Sequence, residues 1–418
     1  MAEFEYGSAR LEWKNHWRVV AAAVAGVSTG AIPTYGLGLF IHPLEENLGW
    51  SRAQISSGLS IYSCIGLAGA PLVGMLIDRF GSRRIALFGV TAFCSLVAML
   101  SLITSSIQSW WLGWLFIGIA GLFIKPTVWS KAVTSFFDKG RGVALACMAS
   151  GTGVSAAILP LLGNFFIEEF GWRLAFVGIS ACLGSFALVM LWMWFFDASD
   201  KPILSTDTRS KKERLQALPG WDAKVGLRRR QLYQISLAAF LATGVVTAYT
   251  VHMVSMLATA GIAREQAVAM FGMVGILAVI ARLSVGYIFD KVAHPAVGTL
   301  SIALPIIPAL VMLFMPAGPL MAICAVVAVG VAIGGEYDAV LYLSSRYFGL
   351  KAFGLLFGIV ASAILAGLGI GSLVAGHIFD QTRSYDLFFL LSIPLTMVAA
   401  VMVATLGRYP DHGQPAHG

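Results

Sequence analysis

Stretches of predominantly apolar residues recur along this chain, each about as long as the helix needed to cross the hydrocarbon of a bilayer, and short polar turns separate them. Twelve stretches are predicted to be helical spans, at about 17–41, 53–77, 85–105, 110–134, 142–167, 173–196, 232–257, 266–289, 296–316, 319–344, 352–378 and 386–406. The pattern repeats. Gly74-Met-Leu-Ile-Asp78-Arg79-Phe-Gly81-Ser-Arg83-Arg84 joins the second span to the third, and an imperfect copy, Gly286-Tyr-Ile-Phe-Asp290-Lys291, lies 212 residues downstream. Two helices joined by so short a turn need a glycine where they touch and an acid to hold the turn's basic groups. The same device in each half marks a doubled bundle. The same shift places Gly142 on Gly354, at the starts of spans 5 and 11. Those spans end alike, with Gly163 to Glu168, Glu169 and Arg173 in one and Gly376-His-Ile-Phe-Asp380 in the other, so each half reads as three helices plus three.

The one long polar stretch, 197–231, includes Arg228-Arg229-Arg230 and is too short and too polar to bury a core of its own. The predicted organisation is a cytoplasmic N-terminus (1–16), a six-helix bundle (17–196), a cytoplasmic linker (197–231), a second six-helix bundle (232–406) and a cytoplasmic tail (407–418). The fold expected is an all-α polytopic membrane protein of twelve transmembrane helices in two pseudo-symmetric six-helix bundles.

Composition strengthens this picture. Hydrophobic residues make up 58% of the chain and charged residues 12%, against about a quarter charged in soluble proteins. Of 28 Lys and Arg, 22 fall on the side of the termini, 4 on the other (Arg52, Arg173, Arg264, Arg383) and 2 within spans. That asymmetry predicts cytoplasmic termini and a place in the cytoplasmic (inner) membrane. The net charge of +7 then belongs to loops beside anionic lipid, and no basic domain supports nucleic-acid binding. The N-terminus mixes Glu3, Glu5 and Glu12 with Arg10 and Lys14, unlike a cleaved signal peptide. Five cysteines sit in apolar runs without metal-ligand spacing and are expected to be small, buried packing residues. No metal, cofactor or nucleotide-binding loop is predicted, nor the clustered nucleophiles of a membrane enzyme.

Charge inside a span is costly, by about 2.5 to 3.5 kcal/mol on insertion scales, and marks candidate function. Four such residues stand out: Lys125, Arg282, Glu336 and Asp338. Arg282 has two readings, an arginine snorkelling to the interface or a cavity cation. Side chains lean toward a helix's N-terminus, which aims Arg282 away from the nearer surface and favours the cavity. A guanidinium offers a carboxylate two parallel donors. Glu336 and Asp338 point about 200° apart on a helix, so one of them should pack against a neighbouring helix. A carboxylate in an apolar cavity beside a cation can be brought to change protonation near neutral pH, as a proton carrier must. Lys125 maps onto Tyr337, between the two acids, and reads as half of a structural ion pair, as part of a substrate or proton site, or as a lysine snorkelling to the interface. In span 7, Tyr249 and His252 share a face. His252 could carry a proton or merely hydrogen-bond. Tyr35, Tyr62 and Trp129 could line an apolar pocket, or pack.

The 74–84 motif and its copy resemble those of the major facilitator superfamily of secondary transporters. That resemblance covers nearly the whole chain. It implies two six-helix bundles, a central cavity and alternating access, with Gly74, Asp78, Arg79, Gly81, Arg83 and Asp290 in gating rather than binding. Ala281-Arg282-Leu-Ser-Val-Gly286 further resembles the eighth helix of the monocarboxylate transporter branch and its bacterial oxalate–formate relatives, which implies that Arg282 binds a substrate carboxylate. Ala31-Ile-Pro33-Thr34-Tyr35-Gly36 is similar to that branch's first helix. Two departures matter: Thr34 stands where the animal branch carries a lysine, and Ala278 where it carries an acid. Proton coupling through those positions is unavailable, and Glu336, Asp338 and His252 are the expected substitutes. The function expected is a secondary transporter taking up a small organic monocarboxylate with a proton, with Arg282, Lys125, Tyr35 and Tyr249 at the substrate. The alternative is an organic-anion exchanger or exporter of the same superfamily. A mostly apolar surface without a soluble domain suits a monomer whose partners are the anion, the proton and the bilayer.

Overall fold

A computed structural model of the chain describes residues 9–137, 140–196, 220–292, 294–349 and 351–410. They form helices almost throughout, and the one extended pairing among them is a bridge between Gly220 and Gly349. Ten helical segments among these residues are long and apolar enough to cross a membrane. One of them, Val143–Trp194, is 52 residues long. It is interrupted at Gly171 (φ 78°, ψ 161°), a conformation open essentially to glycine alone, and so makes two passes. With helix Arg52–Phe80, the passes among the described residues number twelve. Trp192, Leu300 and Phe314 are 69%, 69% and 76% exposed, which in an aqueous protein would be a liability and here marks faces turned to lipid.

The chain divides into two compact units. The first comprises residues 1–50 and 61–204. Its helices are α1 (Ala9–Gly30), α2 (Ile32–Leu48), most of α3 (Arg52–Phe80), α4 (Ser82–Met99), α5 (Ile107–Gly121), α6 (Pro126–Phe136), α7 (Arg141–Ala149) and α8 (Gly151–Trp194). α1 and α4 both pack on α8. Helix α1 begins at Ala9, eight residues before the apolar run that predicts span 1. Tertiary contacts extend it: the Gly140 amide donates to Glu12 Oε2 at 2.8 Å, and the rings of Trp13 and Phe137 lie 5.2 Å apart. Spans 1 and 4 are not continuous. Proline opens the second piece of each, Pro33 in α2 and Pro126 in α6, because it lacks the N–H that an interior turn requires.

The second unit comprises residues 51–60 and 205–418, so the first turns of α3 belong to it. It contains α9 (Ala223–Gly226), α10 (Arg230–Thr259), α11 (Arg264–Lys291), α12 (Pro295–Ala303), α13 (Ile306–Phe314), α14 (Pro319–Phe348), α15 (Phe353–Thr382) and α16 (Asp386–Ala404). α10 packs along α15, and α11 along α14. A core of Leu232, Ile235, Val340, Leu343, Leu356 and Val403, among others, joins α10, α14, α15 and α16. The described end of the linker is fixed to this unit: the Trp221 amide donates to the Phe348 carbonyl at 3.0 Å, and Lys351 pairs with Asp222 at 2.9 Å. Residues 197–219 of the expected linker lie outside the described residues. The cysteines are not uniformly buried, as expected from their apolar neighbours. Cys64 and Cys182 are exposed, because apolar residues on lipid-facing surfaces need no burial.

Candidate functional site

Helices α11 and α14 approach so closely that side chains are excluded from the contact. A Cβ on Gly330 would lie 2.6 Å from the Leu277 Cβ and 3.3 Å from the Val274 carbonyl. One turn on, a Cβ on Gly334 would run into the Ala278 carbonyl and lie 2.7 Å from the Ala281 Cβ. The next turn in the same register brings Asp338 to Arg282, with Arg282 Nε 3.0 Å from Asp338 Oδ2 and the side chains 12% and 23% exposed. The glycines therefore set the ion pair: without them the two helices could not come near enough for so direct a meeting. Ala278, where an acid is absent, is itself buried in this contact.

Glu336 leaves α14 in another direction, as its angle from Asp338 requires. It is buried, and its Oε1 accepts a hydrogen bond of 2.5 Å from Thr243 Oγ1 of α10. The two acids thus address different helices. Tyr337, between them, packs against the core of the unit. Thr243 gave no signal in the sequence, since a threonine in an apolar helix ordinarily bonds its own backbone.

In the first unit, the break of span 4 falls at its charged residue. α5 ends at Gly121, a short 3-10 turn runs over Leu122–Ile124, and Lys125 is extended (φ −65°, ψ 156°) ahead of Pro126. Lys125 is half-buried, and its Nζ lies 4.9 Å from the centre of the Tyr62 ring, a cation–π arrangement. Among the described residues it makes no ion pair. Trp129 is fully buried against Gly26 and donates Nε1–H to the Ile124 carbonyl at 2.9 Å. It repairs the broken helix rather than lining a pocket. Tyr35 is buried within α2.

Two expected site residues of α10 turn out to be enclosed. Tyr249 is 1% exposed, its hydroxyl 3.2 Å from Ser392 Oγ and its ring against Phe388 and Phe389 of α16. These contacts place it in the packing between α10 and α16. His252 is also buried, but with hydrogen-bonding neighbours on both ring nitrogens: Tyr385 Oη at 3.0 Å from Nδ1, and the Ser372 carbonyl at 3.0 Å and Ser56 Oγ at 3.3 Å from Nε2.

Of the expected gating residues, Gly81 makes the turn between α3 and α4 with φ 80°. Arg83 donates Nη2–H to the Trp192 carbonyl at 2.7 Å and lies over the Phe196 ring. The side chains of Asp78, Arg79 and Asp290, and the surroundings of Gly74, lie outside the described residues.

A model of the Major Facilitator Superfamily matches residues 19–354. The hexuronate transporter of Escherichia coli (strain K12) is 25% identical over 432 residues, covering 96% of this chain and 98% of its own. Monocarboxylate transporter 2 of Mus musculus is 23% identical over 161 residues, covering 38% of this chain and 33% of its own. In fold, the crystal structure of the nucleoside transporter NupG superposes with a TM-score of 0.71 at 12% identity, covering 93% of this chain and 100% of that one.

Proposed function

We infer, from the fact that this chain belongs to the Major Facilitator Superfamily and is a multi-pass membrane transporter, that it carries a small organic acid bearing one carboxylate, together with a proton. The observation that carries this reading is the Arg282–Asp338 pair at 3.0 Å. A substrate carboxylate must take Asp338's place on the guanidinium. An ionised Asp338 displaced inside the membrane would be a buried, uncompensated charge, which is strongly unfavourable. A protonated Asp338 has no such cost. Anion and proton are therefore favoured together, and their sum is neutral. The driving force for such symport is the pH difference, about 1.4 kcal/mol per unit.

Glu336, held by Thr243, and His252 are the further groups proposed for proton coupling. Lys125 of the first unit is proposed, separately, as a second cation that attracts the anion. The hexuronate relative suits this chemistry, since a hexuronate is a sugar acid with a single carboxylate, and the match to a monocarboxylate transporter points to the same group. The distribution of Lys and Arg supports cytoplasmic termini and the inner membrane.

The test is uptake by purified protein in liposomes, with labelled hexuronates and lactate offered with and without an inward acid gradient. Acid-driven accumulation of one of them, lost in Arg282→Ala, is the expected result. Uptake that ignores the acid gradient but responds to anion loaded inside would replace symport by exchange. Normal transport by the Arg282 variant would end the carboxylate reading.

A further inference from the structure

Helix α3 starts on a second hydrogen-bonded network, remote in sequence from the charges of α11 and α14. Ser51 and Gln54 form a capping box, the Ser51 amide donating to Gln54 Oε1 at 2.9 Å and the Gln54 amide to Ser51 Oγ at 3.2 Å. The next two orphan amides go elsewhere: Arg52 N–H donates to Asp380 Oδ1 at 3.0 Å and Ala53 N–H to Asp380 Oδ2 at 2.8 Å. A carboxylate so placed also faces the positive end of the helix dipole of α3. Gly376, one turn earlier in α15, permits the approach, because a Cβ there would lie 2.9 Å from the Ala53 nitrogen. The Arg52 guanidinium lies 3.5 Å from the centre of the Phe379 ring and donates Nη1–H to Tyr385 Oη at 2.8 Å. One turn along α3, Ser56 reaches His252, and a turn further Ser60 Oγ donates to the Gly369 carbonyl at 2.7 Å.

The hydrogens in this network can be ordered from its chemistry. The Ser372 carbonyl can only accept, so His252 Nε2 carries a hydrogen. In a neutral imidazole Nδ1 then accepts, and the donor is the Tyr385 hydroxyl. That hydroxyl in turn accepts from Arg52. The arrangement is complete only while His252 is neutral.

We propose that Asp380, Arg52, Tyr385 and His252 form a proton-operated latch, which holds the first turns of α3 against the end of α15 and releases them when His252 takes up a proton. A hydrogen on Nδ1 reverses the bond to Tyr385 and sets two cations, Arg52 and His252, on one hydroxyl. The charged groups facing His252 are Arg52 from α3 and Asp380 from α15, with Tyr385 from the turn before α16. Asp380 is the anion able to answer the new charge, and both its oxygens are committed to the amides of α3. Turning toward the histidine uncaps the helix. Residues Ser51–Ser60 and their partners His252, Asp380 and Tyr385 all lie in the second unit, so the latch is a contact within that unit. The latch goes beyond the symport reading and depends on it only for which compartment supplies the proton.

Hydrogen–deuterium exchange of the full chain in lipid nanodiscs, without substrate, tests it at about pH 8 and about pH 5.5, on either side of the ordinary histidine range, after correction for intrinsic rates. Peptides covering Ser51–Ser60 should exchange roughly tenfold faster in acid in the wild type. They should stay protected at both values in His252→Gln, and exchange fast at both in Asp380→Asn. Equal wild-type protection at the two values, or an acid response that survives His252→Gln, overturns the latch. If His252→Gln loses protection throughout the chain, Tyr385→Phe decides: a weakened acid response supports the latch, and an unchanged one overturns it. Because no cargo is present, either result leaves the carboxylate reading to its own uptake test.

Discussion

Spans 4 and 10 occupy equivalent places in the repeated sequence, Lys125 in one corresponding to Tyr337 in the other, yet they carry charge in opposite ways. Span 4 breaks at its lysine and leaves the cation over an aromatic face. Span 10 runs unbroken as the 30 residues of α14, and its Asp338 is matched on the spot by Arg282. The physical cause is local. Pro126 removes a backbone donor from the first, whereas Gly330 and Gly334 let the second lie flush against α11. One unit thus presents a cation with no counter-ion among the described residues, and the other a cation already matched by an acid.

The largest effect should follow from breaking the closed pair. Arg282→Ala strands Asp338, and we expect a loss of stability of about 3 kcal/mol with uptake reduced roughly 100-fold or more. Thermal unfolding and liposome uptake measure the two. The double variant Arg282→Ala with Asp338→Ala should regain much of the stability and none of the transport, which separates the pair's structural part from its functional one. Next in size is Gly334→Ala. Its Cβ meets the Ala278 carbonyl, so we expect about 1 to 3 kcal/mol of overpacking cost and weakened anion binding, because Asp338 and Arg282 are held by the same contact. Asp338→Asn should keep the fold but make initial uptake nearly insensitive to an acid gradient. An uptake rate that still rises as the outside is acidified would move coupling to Glu336 or His252. In the other unit, Lys125→Met should barely change stability, since no described counter-ion is stranded, while raising the substrate KM several-fold by removing a cation worth about 1 kcal/mol to an anion. A large fall in melting temperature instead would make the two spans alike. Smallest is Trp129→Phe, which forfeits one hydrogen bond to the Ile124 carbonyl, about 1 kcal/mol, readable as a modest shift in thermal unfolding with transport retained.

The helical architecture was legible because a bilayer imposes length, and length is written in the apolar runs. The breaks within spans 1 and 4 were not read from those runs, although Pro33 and Pro126 stand in plain view. Prolines are tolerated in membrane helices when neighbours mend the backbone, and the mending group, Trp129, is five residues from the carbonyl it serves. Among the charges, the divergence of Glu336 and Asp338 followed from the helical angle alone, whereas their partners Thr243 and Arg282 depended on which helices adjoin α14. The neighbours of Tyr249, Ser392, Phe388 and Phe389, were hidden for a related reason. A shared face with His252 says that two residues look the same way and leaves open whether a cavity or another helix lies there.

Amino-acid order alone settles the solvent, the number of crossings, the doubling of the bundle and the identity of the few charges worth their place in a membrane, because hydrophobicity and repeat spacing are properties of single positions. Partnership is not such a property. That Asp338 meets Arg282, that Glu336 turns to Thr243, and that Asp380 caps a helix over 300 residues away in the chain depend on which backbones glycine allows to touch, and those contacts exist only once the helices have packed.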